Sequence, residues 1–299
     1  MSVRRYLGLL ASCVALWVLG GCAQKQALST RELALNPAME AAERLERRGS
    51  TAYHKGDLAG ALKDYQTASH VYESLALTAP FAIAQLNLAR IDADMGKTND
   101  ALARVVQVLQ ALQTTDRSPT TGDRSAVDGS TLGLAHGRAA ALHVQLQNWQ
   151  AAGQHLALAE SICEGRCDAA SALHSLRARL QLQAGDLNAA RLSATQALER
   201  ATNMADKANA LRSRAQIGLA GTVVAATTAL DAASLLSDAQ QALKLDQALG
   251  QSARVIADLE LLIRISAYAK DASGERAYQA LLARARLASQ QLGAQLGAP

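Results

Sequence analysis

The sequence contains few aromatic residues and very little proline. Of its 299 residues, 3% are aromatic and four are proline, although 49% are hydrophobic. The hydrophobic content is therefore mostly Ala and Leu, which are among the best helix formers. A chain of this length forms one large domain or two ordinary ones, with a long continuous core. We therefore predict an all-α protein.

An excess of charge of one sign is also nearly absent. The formal net charge is +4, and Arg4 and Arg5 lie in an N-terminal stretch without acidic residues, so the rest of the chain carries +2. A surface dedicated to nucleic acid needs a concentrated basic stripe. The charge balance therefore predicts no nucleic-acid partner.

Motifs that carry chemistry are missing too. The sequence has no Gly-x-Ser-x-Gly elbow, phosphate-binding loop or dinucleotide fingerprint. Its six histidines are scattered, and no two of them have the spacing of three to five residues that paired metal ligands show. We therefore expect no enzyme activity, no cofactor and no metal site. The histidines are His54, His70, His136, His143, His155 and His174.

Residues 1–21 have the parts of a secretory signal peptide. A basic start at Arg4 and Arg5 is followed by an apolar stretch over 7–19, and two glycines then precede Cys22. The apolar stretch is shorter than the roughly 20 residues that a membrane-spanning helix needs. We therefore predict a cleaved leader rather than a transmembrane helix.

The stretch "LGGC", which ends at Cys22, resembles the lipobox of bacterial lipoproteins. The resemblance implies cleavage before Cys22, a diacylglycerol on its thiol and an acyl chain on the new amine. Two or more acyl chains anchor a protein stably to a membrane. Ala23 then implies sorting to the outer membrane, facing the periplasm. The alternative is an ordinary signal peptide in which the cysteine falls by chance.

The segment after the lipobox is polar and lacks firm periodicity, so we predict that 22–36 is the acylated cysteine with a flexible tether. Asn36 can cap a helix that has Pro37 at its first position, where a missing amide N–H costs nothing. We therefore place the folded body at 37–292, followed by a C-terminal tail over 293–299.

Two segments of the body share a pattern. "HKGDLAGALKDYQTA" (54–68) and "LQAGDLNAARLSATQAL" (182–198) both contain Gly-Asp-Leu followed by regularly spaced small residues. In each segment the glycine can end one helix in the left-handed conformation, and the aspartate after it can cap the next helix. Each segment therefore predicts a helical hairpin. The turn residues are Gly56 with Asp57, and Gly185 with Asp186.

This pattern resembles the tetratricopeptide repeat (TPR), whose second helix carries small residues where two helices approach closely. Looser copies occur at 94–108, 146–159 and 243–266. Because one hairpin cannot bury its apolar face alone, tandem hairpins stack into a superhelix with a concave face. The resemblance thus implies an all-α, TPR-like solenoid of antiparallel hairpins. An unrelated Ala-rich helical bundle is the alternative.

One stretch interrupts the repeats. Residues 113–133 are rich in Thr, Ser, Asp and Gly, with almost no apolar residues. We predict a polar insertion here, either a surface loop or a binding loop beside the concave face. The last helix is expected over 274–293, capped by Ser273.

The TPR resemblance also implies a partner-binding face. When the first helices of the repeats are aligned on their turns, Arg90, Arg179 and Arg214 take equivalent positions, which line the inner groove in this family. Guanidinium groups fork onto carboxylates, so we expect an acidic or C-terminal peptide segment there. Ordinary solvated helix arginines are the alternative. The complete predicted face is Tyr53, His54, Arg90, Asp94, Gln145, Arg179, Gln183 and Arg214.

Cys163 and Cys167 are four residues apart at a predicted helix end. This spacing brings them within reach of a disulfide, and an exported protein meets an oxidising environment. Redox catalysis would favour a two-residue gap. We predict a structural disulfide, with two free thiols as the alternative.

These inferences combine into one functional prediction. The chain is expected to be a lipoprotein anchored to the outer membrane, whose TPR-like body is a scaffold for a protein or peptide partner in an envelope complex. Relatives in this broad group act in pilus and secretion systems, outer-membrane protein insertion and cell-wall machinery. The alternative is a small-molecule binder, or a regulator of an envelope enzyme, with a pocket formed by the superhelix.

Overall fold

A computed structural model describes residues 37–116, 129–163, 170–224 and 232–296. The described residues form twelve α-helices and contain no strand, which confirms the prediction of an all-α protein. The helices are α1 (Pro37–His54), α2 (Leu58–Ser74), α3 (Thr78–Asp94), α4 (Thr98–Asp116), α5 (Gly129–Gln145), α6 (Trp149–Cys163), α7 (Ala170–Gln183), α8 (Leu187–Glu199), α9 (Met204–Val224), α10 (Ala232–Ala248), α11 (Ser252–Tyr268) and α12 (Ala272–Leu296).

The chain divides into two compact units, Met1–Glu40 and Ala41–Pro299. The described part of the first unit is the first four residues of α1, which begins at Pro37 as predicted. All the interactions discussed below lie within the second unit.

The helices of the second unit follow a simple packing rule. From α2 onward, each helix packs against the next one in the sequence. The odd-numbered helices also contact each other in order, α3 with α5, α5 with α7, α7 with α9 and α9 with α11. Tandem hairpins whose first helices form one continuous layer have this pattern. The first helices therefore lie side by side in an inner layer.

The predicted turns between helices are confirmed. Gly56 and Gly185 have φ values of +79° and +85°, in the left-handed region that favours glycine. The carboxylate of Asp57 accepts a hydrogen bond from the Gly60 N–H at 2.8 Å. Asp186 caps its helix in the same way. Each pair of residues therefore ends one helix and begins the next.

Small residues lie where the second helices of the hairpins meet their neighbours. The alanines at the repeat positions are completely buried, because a larger side chain would separate the two helix backbones. This burial explains the Ala-rich composition. These residues are Ala61, Ala68, Ala101, Ala152, Ala159, Ala190 and Ala197.

The predicted insertion is shorter than the sequence pattern indicated. Helix α4 runs to Asp116 and α5 begins at Gly129, so both ends of 113–133 are helical. The polar composition of 129–133 wrongly predicted a loop at the start of α5. Thr131 is instead packed inside the fold, with 5% of its surface exposed. Residues 117–128 lie outside the described part of the chain.

The predicted limits of the last helix were wrong. Lys270 ends α11 in the left-handed region with φ 56°, and the carboxylate of Asp271 accepts a hydrogen bond from the Gly274 N–H at 2.9 Å. Asp271 is therefore the cap in place of Ser273. It directly precedes the first helical residue, Ala272, and its carboxylate accepts from the free Gly274 N–H. Helix α12 extends to Leu296, so part of the predicted tail is helical.

The N-terminal predictions lie outside the described residues. The leader, the lipidation of Cys22 and the tether over 22–36 therefore stay predictions. Among the described helices, none is both long enough and apolar enough to cross a membrane.

Candidate partner-binding groove

Four residues of the predicted face come together at the end of α1. The ring of Tyr53 is buried, and its hydroxyl donates a hydrogen bond to the Asp94 carboxylate at 2.5 Å. The Arg90 guanidinium lies over this ring, 3.8 Å from its centroid. The ring of His54 meets Tyr53 edge to face at 5.7 Å. The structure therefore brings Tyr53, His54, Arg90 and Asp94 together. Tyr53 does not line an exposed face as predicted, because its ring is buried beneath the Arg90 guanidinium.

The local sequence explains this placement. Arg90 and Asp94 are four residues apart on α3, so their side chains lie on one face of the helix. Leu88 and Ile91 of the same helix are buried against Tyr53 in one hydrophobic cluster. This packing fixes the rotation of α3 and directs Arg90 and Asp94 toward the end of α1.

Two further arginines lie near this group and were missed from the sequence. Arg138 is on α5 and Arg254 is in the first turn of α11. Burial, followed by the positive charge of Arg90 and with a contribution from Arg254, lowers the pKa of Arg138 to about 10. The charges of Arg90 and Arg254 also reach His54 and help to lower its pKa, after burial. We call Arg90, Arg138 and Arg254 the arginine cluster.

The arginine cluster lacks anionic partners. In the described part of the chain, none of its three guanidinium groups forms a salt bridge. The Nε atoms of Arg90 and Arg138 are buried and have no hydrogen-bond partner. Asp94 is the nearby carboxylate that acts on Arg138, and it already accepts the Tyr53 hydroxyl. The cluster therefore combines excess positive charge with unused buried donors.

A signal for Arg138 was present in the sequence. Arg90 precedes the turn residue Gly96 by six positions, and Arg138 precedes the turn residue Gln147 by nine. Three residues are close to one helical turn, so both side chains lie on the same face of their helices. Gln147 has the same left-handed conformation as the turn glycines, with φ 59°.

Arg254 reaches the cluster because two distant turns touch. The α1–α2 turn lies against the α10–α11 turn, and Tyr53, Asp94 and Arg254 line a pocket between them. A Cβ atom on Gly56 would lie 2.8 Å from the Gly250 carbonyl oxygen, and one on Gly250 would collide with the His54 carbonyl oxygen. Both positions therefore require glycine, which permits this backbone approach.

The rest of the predicted face lies elsewhere. Gln145 and Gln183 are exposed at the ends of α5 and α7. Arg179 is solvent-accessible, yet burial and the charge of Arg212 lower its pKa. In the described residues, no hydrogen bond or salt bridge joins these side chains to the Tyr53 group.

Arg214 differs from its predicted role. Its guanidinium forms two hydrogen bonds of 2.6 Å with the Asp238 carboxylate on α10. The alignment on turns placed the end of this helix too early, because α9 continues to Val224. Arg214 therefore links two helices, and its guanidinium is already occupied.

Arg212 lies two residues before Arg214 and forms the most deeply buried ion pairs among the described residues. Its guanidinium bonds the Asp246 carboxylate and lies 2.6 Å from Asp258, and both aspartates are completely buried. Burial alone would lower the pKa of Arg212, but the hydrogen bonds and charges of Asp258 and Asp246 outweigh it and raise the pKa. This triad joins α9, α10 and α11 inside the core.

Three histidines also meet, although their sequence spacing gave no sign of it. The Nδ1 atoms of His136 on α5 and His155 on α6 lie 2.9 Å apart, and the His143 ring stacks on His155 at 5.4 Å. Burial lowers the pKa of all three. Spacing along one helix missed the group because its members come from two helices. Among the described residues, no group of three His, Cys, Asp or Glu side chains is arranged to hold a metal ion.

Cys163 ends α6 and is buried, with 4% of its surface exposed. It is disulfide-bonded. Cys167 lies outside the described residues, so its pairing with Cys163 stays a prediction.

The fold of this chain is similar to that of several solved structures. No protein-family model matches this chain, and no curated protein matches it. The crystal structure of a Rap protein complexed with Competence and Sporulation Factor matches with a TM-score of 0.63 and 12% identity, over 88% of this chain and 68% of that chain. The apo form of RapI matches with a TM-score of 0.59 and 13% identity, over 88% of this chain and 89% of that chain. A tetratricopeptide repeat protein from Parabacteroides merdae matches with a TM-score of 0.38 and 15% identity, over 87% of this chain and 94% of that chain.

At these identities, the Rap and RapI matches establish the fold alone. Together with the tandem hairpins, they confirm the predicted TPR-like stack of helical hairpins. These matches do not test the lipoprotein prediction.

Proposed function

We propose that this chain is a lipid-anchored scaffold that binds a protein or peptide partner in the bacterial envelope. The observation that carries the proposal is the arginine cluster, whose half-buried guanidinium groups form no salt bridge among the described residues. Guanidinium groups of this kind suit an acidic or C-terminal peptide segment. The Rap protein, which has the same fold, was crystallised in complex with a factor, and this supports a binding role rather than catalysis.

The resemblance of residues 19–22 to a lipobox supports the location that we propose for the scaffold. An acylated Cys22 would hold the body at the outer membrane on the periplasmic side, through a tether of fourteen residues after the cysteine. Partners are then expected among proteins that build pili, secretion systems, outer-membrane proteins or the cell wall. A small molecule held in the Tyr53 pocket is the second candidate, favoured by the pocket itself.

Affinity capture from envelope extracts tests the partner. The full chain with Cys22→Ser is immobilised beside two matched variants, Arg90→Ala with Arg179→Ala, and Arg276→Ala with Arg284→Ala on the exposed face of α12. We expect one stoichiometric envelope protein to bind the parent and the α12 variant but not the groove variant. Equal capture by all three would refute the groove, and a co-purifying metabolite without a protein would favour the second candidate.

Membrane partition tests the anchor. The native chain is expected in the membrane pellet after a high-salt wash, whereas Cys22→Ser is expected in the supernatant. A Cys22→Ser protein that stays in the pellet would overturn the lipidation.

A further inference from the structure

We infer that the contact between the α1–α2 turn and the α10–α11 turn is a reversible closure of the helical stack, which opens when His54 takes up a proton. We call this the turn contact, with residues 54–58 on one side and 249–254 on the other. The inference goes beyond the proposed function, because it concerns how the fold responds to acid and holds whichever partner the chain binds.

The turn contact is held weakly. It places backbone against backbone, since a Cβ atom on Gly250 would lie 2.4 Å from the His54 carbonyl oxygen. Among the described residues, no hydrogen bond or salt bridge joins 54–58 to 249–254. Each van der Waals contact between two atoms contributes little by itself. The two turns can therefore separate without breaking a helix or an ion pair.

An unsatisfied polar group also disfavours the closed form. Gln251 lines the pocket between the two turns and is 8% exposed. It precedes the first residue of α11, but its side chain does not bond the free amides of that helix. Its buried Oε1 atom has no hydrogen-bond partner. Such an acceptor costs free energy, which water recovers when it enters the pocket. Separation of the turns admits that water, so the free energies of the closed and open forms lie closer together.

Positive charge gathers around His54 at the turn contact. Its ring meets the Tyr53 ring edge to face at 5.7 Å, and the Arg90 guanidinium lies 3.8 Å from the centroid of that tyrosine ring. From the other side, Arg254 lines the pocket that Tyr53 also lines. A proton on His54 therefore adds a further positive charge beside two arginines, and like charges repel most strongly where water is partly excluded.

The other titratable and charged groups around His54 do not compensate this charge. On α3, the Asp94 carboxylate already accepts the Tyr53 hydroxyl, and burial raises the pKa of Tyr53 to about 12, so the hydroxyl stays neutral. In the α1–α2 turn, Asp57 accepts an amide N–H of α2, and Lys55 is a further cation. Arg138 on α5 adds positive charge near Arg90. The α10–α11 turn has no charged side chain before Arg254.

The sign of the response follows from these surroundings. In the closed form, burial and then the charges of Arg90 and Arg254 lower the pKa of His54. Separation of the turns hydrates the ring and withdraws Arg254, so the pKa returns toward the ordinary value of about 6.5. The open form therefore binds the proton more tightly, and the closed form is favoured above about pH 6.5 and loses that advantage as the pH falls. His54 is solvent-exposed, so protons reach it before the turns separate.

The distance between two spin labels tests the inference on the full chain. The labels are attached at Lys55→Cys and Gln247→Cys, which are exposed positions on the two sides of the turn contact. Cys13 and Cys22 are replaced by Ser, and Cys163 is already disulfide-bonded. A chain without the two introduced cysteines measures background labelling. Double electron–electron resonance then gives the distribution of distances, and circular dichroism checks that the helices persist at each pH.

We expect one short distance at about pH 8 and a growing population at a longer distance at about pH 5, on either side of the ordinary histidine pKa of about 6.5. His54→Gln is neutral in both samples and should keep the short distance. His54→Lys is charged in both and should show the longer distance already in the alkaline sample. His70→Gln is the matched control, because His70 is exposed near the other end of α2, and it should respond to acid like the parent.

Several outcomes would overturn the inference. Distances in the parent that do not change with pH would exclude an acid-driven opening, and a long distance alone in both samples would show that the turns do not touch. If His54→Gln opens like the parent, or if His70→Gln does not, the response belongs to another group. Arg254→Gln gives a second test should the His54 variants fail to fold. It removes one of the charges that oppose the proton, so it should gain less of the longer distance on acidification, and an opening as large as that of the parent would exclude the electrostatic cause.

Discussion

The arginine cluster and the Arg212 triad are two partly buried arginine sites with opposite electrostatics. In the triad, one guanidinium meets two carboxylates that are completely buried. In the cluster, three guanidinium groups share the neighbourhood of Asp94 and form no salt bridge among the described residues. The two carboxylates of the triad therefore neutralise the Arg212 guanidinium inside the fold, whereas the guanidinium groups of the cluster have no paired carboxylate among the described residues. The comparison distinguishes an arginine that holds helices together from one that is available to a ligand.

The largest effect is expected from removing the cation of the triad. Arg212→Met would leave two buried carboxylates without their partner, which costs about 3 to 5 kcal/mol of unfolding free energy. Arg214→Met is the control, because its salt bridge with Asp238 is more exposed, and it should cost about 1 kcal/mol or less. Urea denaturation measures both. Equal losses would mean that burial does not separate the two sites.

The next effect concerns the contact that brings Arg254 to the cluster. Gly250→Ala combines a left-handed backbone with a collision at the His54 carbonyl oxygen, so it should cost about 2 kcal/mol or more. Gly96→Ala is the matched control, because its φ is +79° but its Cβ would meet nothing within 4 Å. We expect about 1 kcal/mol for the control. If both variants unfold at the same urea concentration, the contact between the two turns contributes nothing to the unfolding free energy.

The group of His136, His143 and His155 sharpens the comparison. Among the described residues it also has no carboxylate partner, but its members can lose their charge. Burial lowers the pKa of His136, His143 and His155 in the fold. The unfolded chain therefore binds protons first as the pH falls, and stability is present above about pH 6.5 and lost below it. His155→Gln should reduce this loss of stability between pH 7 and pH 5, measured by thermal unfolding. If the variant loses as much stability in acid as the parent does, the three histidines are not the source of that loss.

The smallest effect on stability is expected in the arginine cluster itself. Arg138→Met removes a half-buried cation that is repelled by Arg90 and Arg254, so the unfolding free energy should fall by about 1 kcal/mol or less, or rise. Arg212→Met supplies the contrast, since the same substitution at the triad is strongly destabilising. A loss at position 138 as large as that at position 212 would show that Arg138 is structural, and the two sites would then be of one kind.

Much of the fold was predictable because local signals agreed. Gly56 and Gly185 with their capping aspartates fixed the turns, and buried alanines such as Ala61 followed from the repeat pattern. Boundaries failed where polar residues were packed, as at Thr131, or where two residues competed for one cap, as with Asp271 and Ser273. These outcomes depend on tertiary contacts, which composition does not report.

The site was predictable only in part. Tyr53, His54, Arg90 and Asp94 share two neighbouring repeats, so alignment on the turns placed them together. Arg254 is too distant in sequence for such alignment, and its position depends on a contact between two turns. Arg214 failed because α9 passes through Gly221 without a turn.

The contact between Gly56 and Gly250 also bears on how many repeats this protein can have. An open array of helical hairpins tolerates the gain or loss of a unit, because each unit touches only its neighbours. Here the first turn rests on one that follows about two hundred residues later, so deletion of a hairpin would shift one partner away from the other. Duplication and deletion of repeats, the usual route by which such arrays change length in evolution, are therefore obstructed between these two glycines.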